Sequence, residues 1–402
     1  MARFHFLDGE CKDGWTYTLA CFSKWAVIQC SYVAFRCRNV PEFFVYFMDI
    51  RSELAEFKRE IDREMEVYLN RVLEEVGKRD PFIAEALRYV KRLALSGGKR
   101  LRAAFMYYGY RAGGGADRER MIRAAVSIEL VHLFLLIHDD IIDRDAKRHG
   151  IITAHEHFCG IGKNLFSDRD STHFGNSMAI IVGDMVGALG NQIIFESGFP
   201  PDRVLRALSK LQEIVSYTVV GEAQDILIEY RGKASEEEIL SMYEHKTARY
   251  TVDGPLQLGM LLAGGSPSLS EALGRYAIPL GIAFQIQDDI LGVFGTEEKL
   301  GKPVGSDIEE GKITILVSRA LALASKGDQK ELHSILKKGE ALLLRDVERF
   351  REILRISGAL ESSRDMAVSY IDEGVRAISS VDMPSEAKDF LLGVADYMEK
   401  RE

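Results

Sequence analysis

From residue 48 onward, apolar side chains return every three or four positions, and few folds can absorb that period. Leu54, Phe57, Ile61, Met65 and Tyr68 fall on one helical stripe. Ile83, Leu87, Val90 and Leu93 continue it, and it returns over 121–137, 203–230, 236–262 and 313–326. The alternation that marks a half-buried strand is almost absent. The breaks at Gly97-Gly98, Gly113-Gly114-Gly115, Pro200-Pro201 and Gly264-Gly265-Ser266-Pro267 are too short to be flexible linkers between domains. The spacing predicts a single large all-α domain over residues 48–402, with no short-period repeat.

Residues 1–47 read differently. They hold Trp15, Trp25 and four of the five cysteines (Cys11, Cys21, Cys30, Cys37), without a helical period. Thr16 to Phe35 is apolar apart from Lys24, but Gln29 and several hydroxyl residues weaken both an anchor and a signal-peptide reading. The segment is expected to be an atypical extension, with Met48 a plausible true start. An upstream stretch read into the frame, an accessory segment and an anchor stay open, in that order. An odd cysteine count without paired spacing gives neither a disulfide framework nor a zinc pattern, so the body reads as a reduced, cytoplasmic protein. A net charge of −9 argues against nucleic acid as a partner. An anionic substrate would have to be held by local bases or bound cations.

Two carboxylate clusters follow apolar runs. Leu133-Phe134-Leu135-Leu136-Ile137 leads into His138-Asp139-Asp140-Ile141-Ile142-Asp143. Asp139 and Asp143 lie one helical turn apart, about 6 Å, where they can share hard divalent cations. Among 61 acidic residues such a pattern should arise by chance roughly once. Two observations move the reading away from chance. Buried carboxylates cost several kcal/mol unless a counter-cation is present. The arrangement also recurs, since Phe284-Gln285-Ile286-Gln287-Asp288-Asp289-Ile290-Leu291 echoes Leu135 to Ile142. Two such helices on opposite walls of a cavity, with magnesium between them, make a seat for a diphosphate.

The bases are distributed to match. Ser96-Gly97-Gly98-Lys99-Arg100-Leu101-Arg102 joins a helix end to a helix start, where glycines and helix N–H groups favour an anion. Lys99 and Arg102 are expected on one helix face there. Lys147-Arg148-His149 follows the first cluster, Lys302 and Lys312 follow the second, and Lys246-Thr247 lies mid-helix between them. His132 is placed to donate to a phosphate. His138, His155, His157 and His173 read as structural or surface residues.

Taken in order, Gly98-Lys99-x-x-Arg102, Asp139-Asp140-x-x-Asp143 with Arg148, Lys246-Thr247, Phe284-Gln285-x-x-Asp288-Asp289 and the run from Gly301 to Lys312 resemble the trans-isoprenyl diphosphate synthases. The resemblance spans roughly residues 50–400. The whole looks similar to archaeal-type geranylgeranyl or bifunctional farnesyl/geranylgeranyl diphosphate synthases. The resemblance implies antiparallel helices around a deep central cavity, and a homodimer. Asp139, Asp143 and Asp288 would ligate two or three Mg2+ ions, supported by Asp140 and Asp289. Arg148, Lys246, Lys302 and Lys312 would contact the allylic diphosphate. Lys99, Arg102 and His132 would bind isopentenyl diphosphate, and Thr247 and Gln285 would face the developing carbocation. No stable membrane insertion is implied.

Two departures stand out. His149 occupies the place of a second arginine beside Arg148, and Gly292 the place of a third acid in the second cluster. Activity is expected to survive the second, which archaeal-type relatives tolerate. Asp145 mimics a longer motif, but Arg148 keeps the uninserted spacing. Phe134, about 7.5 Å along the helix before Asp139, is expected to floor the product pocket near twenty carbons. Farnesyl and longer products stay open. So do a metal-dependent phosphohydrolase built on His138-Asp139 and a non-catalytic synthase subunit. A terpene cyclase would lack the Gly-Gly-Lys-x-x-Arg site.

Overall fold

The computed structural model describes residues 5–10, 16–21, 49–167, 169–295 and 305–400. The chain divides into two compact units, Met1–Met48 and Asp49–Glu402. In the first, strands β1 (His5–Glu10) and β2 (Thr16–Cys21) form an antiparallel hairpin, pairing His5 with Cys21 and Glu10 with Thr16.

The second unit is all-α. Its first helices are α1 (Ile50–Gly77), α2 (Pro81–Leu95), α3 (Leu101–Ala112) and α4 (Arg118–Ile142). A two-residue ribbon, β3 (Lys147–Arg148) with β4 (Ile151–Ile152), precedes α5 (Ala154–Leu165), α6 (Ser171–Phe195), α7 (Pro201–Arg231) and α8 (Glu236–Tyr243). A π-helix (Glu244–Asp253) leads into α9 (Gly254–Ala263) and α10 (Pro267–Phe294). Then come the short α11 (Ser306–Glu309), α12 (Ile315–Leu323), α13 (Lys326–Ile335), α14 (Leu344–Ile356), α15 (Ala359–Ser379) and α16 (Ser385–Glu399).

Local chemistry sets the boundaries. Asp49, Asp80, Asp117 and Ser266 accept hydrogen bonds from first-turn N–H groups, and Ser235 with Glu238 forms a capping box. The stripe on α1 is buried as its spacing predicts, with Phe57, Ile61 and Met65 at most 1% exposed.

Helices α4, α6 and α10 are long and apolar enough to cross a membrane by length and composition. More than half of each apolar window is buried inside the unit, where these helices pack on protein. α4 lies on α6, α10 on α15 and the π-helix, α7 on the π-helix, and α3 on α9. This arrangement brings the end of α4 and the end of α10 to either side of the π-helix.

Candidate active site

The first cluster sits at the C-terminal end of α4. Asp143 caps the helix through its N–H to the Asp139 carbonyl (2.8 Å), so the one-turn spacing persists to the last acid. Carboxylates there face the negative end of the helix dipole and need cations. Arg148, on β3, supplies one. Its Nε donates to Asp140 at 2.6 Å, and its second nitrogen to Asp139 at 3.2 Å and Asp145 at 3.3 Å. Asp145 is therefore turned toward Arg148, whichever motif length is read. Burial pushes the Asp140 carboxyl up to about 6 against the pull of Arg148.

Lys246 supplies the second cation. Its ammonium lies 2.6 Å from Asp225, 2.8 Å from Glu222 and 4.0 Å from Asp139. Burial opposes that charge, but the three carboxylates outweigh it and hold the lysine above its usual range. Lys312 supplies the third, 3.4 Å from Asp143 and 2.7 Å from Glu310. Lys302 lies outside the described residues.

At the second cluster Asp289 is a positioning carboxylate. It accepts from Gln285 Nε2 at 2.8 Å and from the Tyr243 hydroxyl, which in turn accepts the Ile315 N–H. Thr247 Oγ1 donates to Gln285 Oε1 at 2.5 Å. Burial raises the Asp289 carboxyl well above the carboxylate range, and the hydrogen bonds donated by Tyr243 and Gln285 pull the other way. Asp288 is half-buried beside it.

The segment read as ordinary helix around Lys246 is a π-helix, a form frequent at functional sites. It lets consecutive residues serve two walls. Lys246 reaches Asp139 on α4, while Thr247 bonds Gln285 on α10. The glycine at 221 permits this, because a Cβ there would overlap the backbone of Lys246. One site is thus shared by both acidic helices.

Next to it lies a cavity of about 240 Å³, lined by Gly97, Lys99, Arg102, His132 and His149 with Phe284 behind. α3 begins only at Leu101, after a left-handed Arg100 (φ 54°), so Lys99 and Arg102 do not share a helix face. Lys99 donates to the Tyr397 hydroxyl at 3.0 Å. Arg102 stacks on Tyr250 at 4.5 Å and donates to Thr251 at 2.8 Å.

Arg102 also lies 3.2 Å from His132 Nε2. Burial and then Arg102, Arg148 and Arg100 depress the His132 imidazole, leaving it neutral. Its Nε2 then accepts from Arg102, which puts the proton on Nδ1, a buried donor with no protein partner. That orphan donor fits a phosphate oxygen. His149 stands at φ 51°, its ring packed where a Gly97 side chain would be (2.7 Å from Cγ).

His138 points instead to α6, 3.3 Å from the Ile180 carbonyl and 3.6 Å from Asp184. Among the described residues no three His, Cys, Asp or Glu side chains form a ready metal group. The acids are clasped by bases instead. Their all-oxygen donor set suits a hard ion such as magnesium. Phe134 packs edge-on to His138 and against Gly187 of α6.

Sequence reading missed several contributors. Glu222 and Asp225 carried a signal, being one turn apart on α7 beside Gly221. Arg100, bonded to Asp62 at 2.7 Å and lying 3.5 Å from Glu129, and Tyr243, Tyr250 and Tyr397 carried none.

The polyprenyl synthetase family model matches residues 81–355. The geranylgeranyl diphosphate synthase of Methanosarcina mazei is 36% identical over 319 residues, covering 79% of this chain and 89% of the relative. That of Saccharolobus solfataricus is 32% identical over 336 residues, covering 82% and 95%. Among solved structures, geranylgeranyl pyrophosphate synthase from Corynebacterium glutamicum, complexed with isoprenyl diphosphate and magnesium, superposes with a TM-score of 0.82. It is 30% identical, covering 87% of this chain and 99% of that one.

Proposed function

This chain belongs to the polyprenyl synthetase family, and from that premise we propose how its residues divide the work of a trans-prenyltransferase. It is a short-chain enzyme of geranylgeranyl diphosphate synthase type, condensing isopentenyl diphosphate with an allylic diphosphate. The observation that carries the assignment of roles is the pair Lys246–Thr247, which ties the two acidic helices into one site beside the Lys99–Arg102–His132 cavity.

Asp139, Asp143 and Asp288 would hold two or three magnesium ions, which supply Lewis-acid stabilisation of the departing diphosphate when bound. Arg148, Lys246 and Lys312 lie among those acids and are positioned to transfer their hydrogen bonds to the allylic diphosphate as negative charge builds on it. Asp140 and Asp289 orient Arg148 and Gln285. Lys99, Arg102 and the His132 Nδ1–H bind isopentenyl diphosphate.

The allylic carbon–oxygen bond breaks, with its electron pair leaving on the diphosphate. The isopentenyl double bond then forms the new carbon–carbon bond, and the lost proton passes to the released diphosphate. Thr247 Oγ1 and Gln285 present oxygen dipoles to the cation, and the apolar cavity wall excludes water. No side chain is required as a strong base.

Ile180 and Ile181 on α6 and Val219, Val220 and Tyr230 on α7 are exposed apolar residues on neighbouring helices, which supports a homodimer in solution. We read the protein as cytoplasmic and without stable membrane insertion.

The decisive assay supplies labelled isopentenyl diphosphate, magnesium and dimethylallyl, geranyl or farnesyl diphosphate, and sizes the products. A twenty-carbon product is expected. Folded protein that condenses nothing would remove the proposal. On the same chromatogram Phe134→Ala should lengthen the product by one or more five-carbon units, and an unchanged distribution would remove Phe134 as the pocket floor.

A further inference from the structure

The second acidic cluster is one carboxylate short, because Gly292 stands at the position that would complete Asp288-Asp289-x-x-Asp. Gly292 is one turn beyond Asp288 on α10 and shares its face. The space left by its missing side chain is taken. A Cβ at 292 would overlap Asp307 Oδ2, and Asp307 Cγ lies 3.3 Å from the same point. A carboxylate from α11 therefore occupies the position from which a third acid would project.

The backbone around α11 fixes that placement. Gly305 turns with φ 94°, and the Lys312 N–H donates to the Asp307 carbonyl at 3.0 Å. Asp307 and Lys312 thus leave one closed turn, with Lys312 reaching across to Asp143 of the first cluster. The charge of Asp307 is felt both at Asp289 and at Lys312.

We infer that Asp307 is the missing third acid of the second cluster, delivered from α11 rather than α10, and that it helps hold the divalent cations of the diphosphate site. The inference rests on the prenyltransferase reading. Asp307 acting only as a counter-charge to Lys312 is the competing account, and it predicts nothing about position 292.

The test reads metal binding apart from turnover. Mn2+ is titrated into the full chain with inorganic diphosphate present, and bound Mn2+ is followed by electron paramagnetic resonance. Asp307→Ala, and the isosteric Asp307→Asn, should each weaken Mn2+ binding about tenfold or more. Gly292→Asp alone should also weaken it, because the new side chain collides with Asp307. Gly292→Asp in the Asp307→Ala background should bring the affinity back to within a few-fold of wild type, a strongly non-additive cycle.

Wild-type affinity in Asp307→Asn would overturn the inference while leaving wild-type condensation, and with it the parent reading, intact. Failure of Gly292→Asp to restore binding in a double variant that melts like wild type would do the same. A wild-type chain that neither binds Mn2+ with diphosphate nor condenses substrate would overturn both.

Discussion

His149 shows how far one side chain departs from its neighbours' logic. Burial, then Arg148, Arg100 and Lys58, depress its imidazole below the ordinary histidine value of 6.5. In the ligand-free chain, the neutral ring therefore favours the fold. That contribution is present above 6.5 and lost as pH falls through the depressed value. A diphosphate in the adjoining cavity has the opposite sign, raising the imidazole and drawing a proton onto it. Affinity for isopentenyl diphosphate should therefore weaken from about pH 6 to about pH 8. His149→Arg should flatten that slope relative to wild type and lower the Michaelis constant roughly three- to tenfold, the worth of a partly exposed charged hydrogen bond. An unchanged constant and slope would separate His149 from the substrate. Lys99 and Arg102 were legible in the sequence because bases beside paired glycines advertise an anion, and His132 because it precedes the first acidic cluster on the same helix. Arg100 was not, since a left-handed arginine aimed at Asp62 and Glu129 looks identical in sequence to its solvent-facing neighbours.

Among the elements, the π-helix does most to assemble the site and was least visible beforehand. Its apolar period differs too little from that of an α-helix to be read over ten residues. The clusters on α4 and α10 were legible as a repeated pattern. That they face one another depends on packing, which periodicity does not encode. Gly221 is the contact that seats α7 on the π-helix. Gly221→Ala should cost about 2 kcal/mol by overpacking, read from denaturant unfolding. By displacing Lys246 about an ångström, it should also lower single-turnover condensation roughly a hundredfold. Retention of the wild-type rate would show that Lys246 is positioned by something else.

For the molecule as a whole, the helical period predicted the all-α unit well, and the described unit begins at Asp49, whose side chain caps α1. A chain starting at Met48 should unfold at the same temperature as the full one and condense at the same rate. A loss beyond about tenfold in turnover, or 1.4 kcal/mol in barrier, would make residues 1–47 part of the working enzyme. Arg148, Lys246 and Lys312 are each already paired with two or three acids in a chain of net charge −9. The site is therefore an ion exchanger whose bases present no outward positive field. Substrate arriving with its own counter-ions swaps partners without a large change in total charge, so its capture should be less sensitive to salt than that of a bare basic cleft.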